Sequence, residues 1–214
     1  MRGLSEKRVV VTGGSSGIGL EVARRLRREG ARVCLVSRRG DALQHATEEL
    51  GEGVWAHVAD VAREEEVAGL VRAVGERWGR LDGLVNNAGV AHMASLLETE
   101  SGVWDESFAV NVRAPFLLCR ALHPMLAESG SAAVVNISST LAEKAIPGMA
   151  AYNAAKAALN QLTRSIALEW GPEVRVNAVM PAVVDTPIHA TRGLTAEDVH
   201  GMGHLHPLGR VGRP

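Results

Sequence analysis

The chain has 214 residues, of which 46% are hydrophobic and 22% charged, with a formal net charge of −1. This length predicts a single domain over residues 1–214, and the apolar content excludes an intrinsically disordered chain. Because the charge is balanced and no basic block is present, neither nucleic acid nor an anionic membrane is expected as the main partner.

Cysteine content and hydropathy indicate where such a protein would reside. Cys34 and Cys119 each lie in an apolar run, which favours buried thiols of a reducing compartment over a disulfide. No apolar segment typical of a secretory signal follows Met1, and no run of 18 apolar residues occurs. We therefore expect a cytoplasmic protein without a membrane-spanning helix.

Short apolar runs alternate with amphipathic segments along the whole chain. Helical spacing is clearest over Ile18–Arg28 and Glu64–Trp78, and a short helix is predicted over Ala196–Met202. This alternation predicts an α/β fold, namely a three-layer, Rossmann-type doubly wound parallel sheet. The strands are continuously apolar because both faces of such a sheet are covered. The six predicted strands are Val9–Thr12, Ala31–Val36, Val54–Val58, Gly83–Asn86, Ala132–Ile137 and Val174–Met180.

A glycine-rich turn follows the first predicted strand and opens the first helix. Glycines at this place let the backbone approach a pyrophosphate, and the helix N-terminus offers free N–H groups to it. The spacing Gly-x3-Gly-x-Gly differs from the usual dinucleotide fingerprint, so a tight turn without a ligand is the alternative. The turn reads Thr12-Gly13-Gly14-Ser15-Ser16-Gly17-Ile18-Gly19.

Two arginines, Arg38 and Arg39, follow the second predicted strand, where NAD-binding folds often carry a carboxylate. A guanidinium donates two parallel hydrogen bonds to a phosphate, which favours the 2′-phosphate of NADP over NAD. The alternative is that both arginines are solvated residues at the start of the next helix. Ser16 is not basic and so adds no second cationic anchor.

Tyr152 and Lys156 lie four residues apart in an alanine-rich helical stretch, so both side chains share one helix face. A phenol with a pKa of about 10 is a poor acid or base at neutral pH, and a neighbouring ammonium is expected to lower it. Ser139 lies thirteen residues before Tyr152, at the carboxyl end of the fifth predicted strand. Side chains at that edge face the ligand-binding crevice of a parallel sheet.

With these motifs the sequence resembles the short-chain dehydrogenase/reductase family, in particular 3-oxoacyl-acyl-carrier-protein reductases and ketoreductases. The resemblance runs from about Lys7 to Pro214. Its motifs occur in order and at matching spacings: Thr12-Gly13-x3-Gly17-x-Gly19, Asp60-Val61, Asn86-Asn87-Ala88-Gly89, Asn111, Ser139 and Tyr152-x3-Lys156.

The resemblance implies a role for each catalytic residue. Tyr152 would exchange the proton with the carbonyl oxygen, and Ser139 would hydrogen-bond that oxygen. Lys156 would lower the pKa of Tyr152 and hold the nicotinamide ribose, while Asn111 would position a water that relays protons. The implied cofactor-binding residues are Gly13, Ser15, Ser16, Gly17, Ile18, Gly19, Arg38, Arg39, Asp60, Val61, Asn87, Ala88, Gly89, Tyr152, Lys156, Pro181, Val184 and Thr186.

Other roles stay open for three of these positions. Asp60, implied to contact the adenine, could instead cap the following helix. Asn111 could be a core amide that satisfies backbone groups. Ser138 could be the reactive hydroxyl in place of Ser139, although the thirteen-residue spacing favours Ser139.

The sequence departs from the family pattern at two places. The family commonly has Pro-Gly after the sixth strand, where this chain has Pro181-Ala182. Relatives also continue past Pro214 into a helix and a last strand, so we expect six strands instead of seven, with the edge of the sixth exposed.

The segment from about 187 to 207 occupies the place of the family's mobile substrate lid. It contains His200, His204 and His206, whose spacing could suit a metal. No Cys or second ligand cluster joins them, so solvated lid histidines are expected and no metal site.

Taken together, the sequence predicts an NADP-dependent oxidoreductase that interconverts a ketone and a secondary alcohol. The alternative is a catalytically inactive dinucleotide-binding or scaffolding member of the same fold. A small carbonyl or alcohol substrate is expected, and apolar residues such as Ile146, Met149 and Val183 favour a hydrophobic ketone over a free sugar. The family resemblance further implies a homo-oligomer, a tetramer or dimer.

Overall fold

The structure is a computed structural model that describes residues 3–214, so Met1 and Arg2 lie outside the described residues. Six parallel strands form one sheet in the order β3-β2-β1-β4-β5-β6. The strands are β1 Arg8–Thr12, β2 Arg32–Ser37, β3 Val54–Val58, β4 Gly83–Asn86, β5 Ala132–Ile137 and β6 Val174–Val179. The predicted doubly wound parallel sheet is confirmed.

Seven α-helices occur in the described part of the chain, and five of them cover the two faces of this sheet. One face packs Val9 and Leu35 against α1 and α2, and the other packs Val10 against α3, α5 and α6 through residues such as Leu70 and Leu118. The three layers follow from strands that are apolar on both sides. The helices are α1 Gly17–Arg28, α2 Gly40–Leu50, α3 Glu64–Trp78, α4 Ser101–Phe108, α5 Ala114–Ala127, α6 Ala150–Trp170 and α7 Ala196–Gly201.

The burial of the strands follows their position in the sheet. All four residues of the central strand β4 are buried. The edge strand β6 alternates buried and exposed residues over its first four positions, and the edge strand β3 has only half-buried and exposed residues. The chain reverses its winding direction between β1 and β4, which leaves a crevice at their carboxyl ends. Both the glycine-rich turn and the end of β4 open onto that crevice.

The segment after β6 runs back over the crevice and is tied to the last described residues. The amide of Gly212 donates to the Val183 carbonyl (2.9 Å), and the amide of Asp185 donates to the Gly212 carbonyl (3.0 Å). Between them lies a single parallel bridge of Val184 with Gly212.

The two cysteines lie inside the fold, as predicted. Cys34 on β2 and Cys119 on α5 are buried and unpaired, and burial raises the pKa of both thiols. Over residues 3–214, none of the helices has the length and apolar character needed to cross a membrane.

Candidate active site

A cavity of about 850 Å³ lies at the carboxyl ends of the strands and contains nearly every residue that the sequence singles out. Its walls come from the turn after β1, the ends of β2 and β3, the loops after β4 and β5, helix α6 and the segment after β6. The predicted residues that line it are Gly13, Ser15, Ser16, Gly17, Arg38, Arg39, Asp60, Val61, Asn87, Ala88, Gly89, Ser139, Tyr152, Lys156, Pro181, Val184 and Thr186, with Ile18 beside Gly17.

The glycine-rich turn needs glycine for two reasons, namely its backbone angles and the lack of space for a Cβ atom. Gly13 and Gly17 adopt φ angles of 63° and 54°, a region that glycine enters without strain. A Cβ on Gly19 would lie 2.5 Å from the Asn87 side-chain nitrogen and even closer to the Gly13 carbonyl oxygen. The turn therefore brings bare backbone up to the cavity wall, as a pyrophosphate would require.

Asn87 locks this turn to the end of β4. Its side-chain amide donates to the carbonyls of Thr12 (2.9 Å) and Gly13 (3.2 Å). The Thr12 hydroxyl in turn accepts from the amides of Asn87 and Ala88, each at 3.0 Å. Asn87 therefore holds the turn after β1 to the end of β4, and Thr12, the first residue of the glycine motif, is its hydrogen-bond partner.

At the end of β2 the two arginines behave differently. The Arg39 guanidinium donates to the hydroxyls of Ser16 (3.2 Å) and Ser15 (3.5 Å), so it faces the glycine-rich turn. Ser37, which sequence reasoning missed, bonds the Ser15 hydroxyl at 3.2 Å and accepts from the Arg39 amide at 3.3 Å. Arg38 is exposed and lies 3.8 Å from the Asp60 carboxylate. The two residues are therefore not equivalent. Both are exposed and Arg39 is the N-cap residue of α2, so the alternative of solvated residues at the start of this helix stays open.

Asp60 does not cap the helix that follows it, which removes the alternative raised for this residue. Its carboxylate accepts from the Ala62 amide at 3.0 Å, in a turn that precedes α3. The N-cap of α3 is Arg63, which makes no side-chain cap. Asp60 and Val61 instead line the cavity, with Asp60 next to Arg38.

Tyr152, Lys156 and Ser139 meet at the centre of the cavity. Tyr152 and Lys156 lie one turn apart on α6, with Nζ of Lys156 5.7 Å from the centre of the Tyr152 ring. The Lys156 ammonium is buried and donates to the Ile137 carbonyl at 2.8 Å. Ser139 follows β5, and its hydroxyl favours the phenolate form of Tyr152. Ser138 bonds the Lys156 carbonyl instead (3.3 Å), so Ser139 is the hydroxyl directed at Tyr152.

The expected lowering of the Tyr152 pKa is not found. Burial raises the pKa of Tyr152, and this effect exceeds the opposing effects of the Ser139 hydroxyl and the Arg192 charge. Burial also lowers the pKa of Lys156 to about 8. The sequence prediction considered only the attraction between ammonium and phenolate, whereas both groups lie in a buried setting that disfavours their charged forms.

Asn111 lies in a π-helical turn, Ala109–Arg113, between α4 and α5. Its side-chain nitrogen donates to the carbonyls of Val90 (3.0 Å) and Ser107 (2.9 Å), which matches the core-amide alternative. Its side-chain oxygen points to Gly89, where a Cβ would lie 3.0 Å from that oxygen and 3.7 Å from Nζ of Lys156. Both side-chain atoms of Asn111 thus satisfy the core, since its oxygen also accepts from the Val90 amide at 3.4 Å. That oxygen lies beside Gly89, close to Nζ of Lys156.

The segment after β6 completes the cavity from the opposite side. Thr186 contacts the glycine-rich turn, since a Cβ on Gly17 would lie 3.1 Å from its side-chain methyl. Pro181 and Val184 line the same wall, and Ala182 occupies the place of the family's glycine without a positive φ angle. The Pro-Ala pair is therefore compatible with this backbone.

The lid predicted for 187–207 is folded over the cavity as two 3₁₀ turns, Pro187–Arg192 and Met202–Leu205, on either side of α7. His200 bonds the Asp185 carboxylate and His204 the Gly201 carbonyl, each at 2.8 Å, while His206 lines the cavity. Within residues 3–214, no three His, Cys, Asp or Glu side chains converge as metal ligands would. The lid also brings Arg192 to the cavity, which sequence reasoning missed because it had no motif to mark it.

Known proteins are similar to this chain in sequence and in fold. A family model described as short chain dehydrogenase matches residues 7–197. The chain is 37% identical to galactitol 2-dehydrogenase (L-tagatose-forming) of Cereibacter sphaeroides, over 95% of this chain and 82% of that protein. It is also 37% identical to 2-(R)-hydroxypropyl-CoM dehydrogenase of Xanthobacter autotrophicus, over 84% and 75% of the two chains. The crystal structure of 3-ketoacyl-(acyl-carrier-protein) reductase from Brucella melitensis complexed with NADH aligns with a TM-score of 0.92 at 32% identity, over 99% and 87% of the two chains.

Proposed function

The chain belongs to the short-chain dehydrogenase family, and on this premise we propose that it interconverts a ketone and a secondary alcohol with NADP(H), using Tyr152 as general acid and base. Its relatives are named dehydrogenases and reductases, and the chain is an NAD(P)-dependent oxidoreductase acting on CH–OH groups. The preference for NADP and the roles of individual residues are the parts that we propose. The observation that carries the proposal is the meeting of Tyr152, Lys156 and Ser139 in the cavity that the glycine-rich turn opens.

The described residues fit a dinucleotide. Bare backbone at Gly13, Gly17 and Gly19 would accommodate the pyrophosphate, and Asp60 with Val61 would hold the adenine. When bound there, the nicotinamide supplies the hydride for reduction or accepts it in oxidation. All other steps in this proposal belong to side chains of the protein.

Tyr152 would donate its hydroxyl proton to the carbonyl oxygen during reduction. Because burial raises the pKa of Tyr152, its hydroxyl is protonated at neutral pH before the carbonyl binds. The Ser139 hydroxyl would hydrogen-bond the same oxygen and stabilise negative charge on it. In oxidation of the alcohol the same two groups would act in reverse, with Tyr152 accepting the proton.

Lys156 and Asn111 would return the proton and orient the reactants. Lys156 lies one turn from Tyr152 with its ammonium fixed on the Ile137 carbonyl, from where it would hold the nicotinamide ribose. Its pKa of about 8 lets it exchange a proton close to neutral pH. The Asn111 oxygen, directed at Gly89, would position a water beside it.

NADP is proposed over NAD because of the groups around Arg39. Its guanidinium and the hydroxyls of Ser15, Ser16 and Ser37 form one cluster of hydrogen-bond donors at the end of β2. A 2′-phosphate accepts several such bonds, and the bonds from Arg39 would be charge-assisted. Among residues 3–214, the one carboxylate that lines this part of the cavity is Asp60, which lies beside Arg38.

We further propose a single domain over 1–214 that works as a cytoplasmic homo-oligomer. Unpaired buried thiols at Cys34 and Cys119 support a reducing compartment. Exposed apolar side chains on three helices, Trp104, Phe116 and Leu168, support association of subunits.

The test is the oxidation of NADPH and of NADH, followed by absorbance, with a panel of ketones. The wild-type protein is expected to reduce at least one ketone, with the higher kcat/KM for NADPH. Tyr152→Phe should lower kcat by about 10²–10⁴-fold, the range for a lost general acid. NADPH should still raise the melting temperature of that variant, because the ring and its packing are retained. Binding of the cofactor without turnover of any ketone would favour the inactive, dinucleotide-binding alternative.

A further inference from the structure

The substrate side of the cavity, formed by the loop after β5 and the lid, is positively charged. Of the described residues that line the whole cavity, five are Lys or Arg and one is a carboxylate, Asp60, which lies beside Arg38 at the adenine side. The part formed by the loop after β5 and the lid contains Lys144 and Arg192 and no carboxylate. Its other walls are apolar, with Leu141, Ile146, Met149, Val183 and Leu205 among them.

Arg192 is held in place by the backbone around it. It ends the 3₁₀ turn Pro187–Arg192 and is followed by Gly193 in the left-handed conformation. The neighbouring Thr191 hydroxyl donates to the Ala91 carbonyl at 2.7 Å, which ties the turn to the loop after β4. The guanidinium therefore projects from a fixed support and not from a free loop.

His189 orients the guanidinium. Nε2 of His189 lies 2.8 Å from the Val184 carbonyl, which only accepts hydrogen bonds, so this nitrogen carries the proton. Nδ1 is then the acceptor for Nη1 of Arg192 at 3.3 Å. The Nε atom of Arg192 is buried and has no partner, and none of the ion pairs among residues 3–214 includes Arg192.

A half-buried guanidinium without an anion is costly, because burial removes water and nothing replaces its charge compensation. Burial indeed lowers the pKa of Arg192, and the nearby Tyr152 is the one group that acts in the opposite direction. The charge of Arg192 also acts on Tyr152, so the two side chains are electrostatic neighbours. An anionic group bound between them and the apolar wall would supply the missing counter-charge.

We propose that Arg192 selects substrates that carry an anionic group, such as a carboxylate or phosphate, next to the ketone or secondary alcohol. The anion would bind the Arg192 guanidinium where it lines the cavity, with Lys144 on the same part of the wall, while the remaining carbon chain lies on the apolar wall. This inference rests on the proposed function, because it places the reacting oxygen at Tyr152. It also modifies the expectation of a hydrophobic ketone, because the apolar walls are accompanied by the cationic side chains of Lys144 and Arg192.

The test compares acids with neutral partners of the same skeleton. With NADPH, kcat/KM is measured for 3-oxobutanoate, 4-oxopentanoate and 5-oxohexanoate against their methyl esters, and for dihydroxyacetone phosphate against dihydroxyacetone. The acid series varies the distance from ketone to carboxylate, and the last pair separates phosphate from carboxylate recognition. The wild type should prefer at least one anion over its neutral partner by about tenfold or more, as for other charge-assisted hydrogen bonds.

The variants are Arg192→Gln, Arg192→Lys and, as matched control, Arg164→Gln on the exposed face of α6. Arg192→Gln should lower the ratio of kcat/KM for the preferred anion to kcat/KM for its neutral partner by about 10–100-fold, mainly through the KM of the anion. Arg192→Lys should retain part of the preference, and Arg164→Gln all of it. An unchanged shift of the melting temperature with NADPH shows that Arg192→Gln is folded.

Two outcomes would overturn the inference. One is a wild type that reduces the neutral ketones as well as the anions, which leaves the proposed reaction standing. The other is an equal loss for anion and neutral partner in Arg192→Gln, which would place Arg192 in the support of Tyr152 and not in substrate selection. A wild type that reduces no ketone of either kind would count against the proposed function itself.

Discussion

The cofactor side and the substrate side of the cavity are built by different means. The cofactor side is made of backbone: glycines at the turn after β1, held by the bonds between Asn87 and Thr12. The substrate side is made of side chains on Pro187–Arg192 and Met202–Leu205, a segment with little regular structure. The first is a fixed receptor for one ligand, whereas the second can change its specificity through single side chains without affecting the sheet.

Of the substitutions that distinguish the cofactor side from the substrate side, Gly19→Ala is expected to have the largest effect on stability and cofactor binding. The added Cβ would collide with the Gly13 carbonyl and the Asn87 side chain, neither of which can move without breaking the turn. We expect a loss of about 3 kcal/mol in the free energy of unfolding, at the upper end for overpacked sites, together with loss of NADPH binding. Urea denaturation and NADPH titration measure the two effects.

The matched control for this substitution is Gly102→Ala. Gly102 lies in α4, where a Cβ meets no atom within 4 Å. Alanine should there stabilise the protein by about 0.5–1 kcal/mol, because glycine is the weaker helix former. Equal stabilities for the two variants would contradict the view that the cofactor side depends on bare backbone.

A smaller effect on stability is expected for Lys156→Met. Lys156 lines the cavity where the cofactor side meets the substrate side. The folded state releases the Lys156 proton at a pKa of about 8, below the ordinary lysine value of 10.5. At pH 7 the buried ammonium therefore lowers the free energy of unfolding. We expect Lys156→Met to raise this free energy by about 1–2 kcal/mol, after the lost hydrogen bond to the Ile137 carbonyl is subtracted. Activity should be lost at the same time.

The pH dependence identifies the cause of this gain. Between about pH 8 and 10.5 the unfolded state binds more protons than the folded state at this lysine, so its contribution to stability rises with pH. The advantage of Lys156→Met should therefore be full below pH 8 and shrink as the pH approaches 10.5. A difference that stays constant across this range in urea denaturation would mean that packing, and not the charge, is responsible.

The smallest of these effects is expected for Arg39→Ser, which changes the specificity of the cofactor side and not its fold. Removing the guanidinium that bonds Ser15 and Ser16 should weaken NADPH binding by about tenfold, the value of a charge-assisted hydrogen bond. NADH binding should change by less than about threefold. Thermal-shift titrations with both cofactors measure this, since stabilisation depends on the ratio of ligand to dissociation constant.

Arg38→Ser is the comparison for this variant. The Arg38 guanidinium lies 3.8 Å from the Asp60 carboxylate, which already compensates part of its charge. It should change the preference for NADPH less than Arg39→Ser does. A wild type that binds NADH more tightly than NADPH would overturn the proposed preference and leave the oxidoreductase assignment intact.

The elements of this fold were largely predictable because the strands are local and strongly apolar. The predicted runs Val54–Val58, Gly83–Asn86 and Ala132–Ile137 coincide with β3, β4 and β5, whereas β1 and β6 differ from their predictions by one residue at one end and β2 by one residue at both ends. The helix over Glu64–Trp78 also coincides with α3. Glycine spacing and the Tyr152-x3-Lys156 pair could be identified for a similar reason, since each is a short pattern with one geometric consequence.

What could not be predicted depends on contacts between distant residues. The π-helical turn at Asn111 has no local signature, and it directs the side chain to Gly89. The raised pKa of Tyr152 follows from burial, which a motif does not encode. Ser37 and Arg192 became visible as site residues only when the fold brought them to the cavity.

The bridge between Val184 and Gly212 joins the two ends of the loop that carries the substrate-side turns. Separation of these two ends requires the bonds from Gly212 to Val183 and from Asp185 to Gly212 to break together. The amides of Asp185 and Gly212 should therefore exchange their hydrogens together, at a rate set by this opening. The interval between successive turnovers would then be governed in part by residues near position 212, which lie outside the catalytic centre.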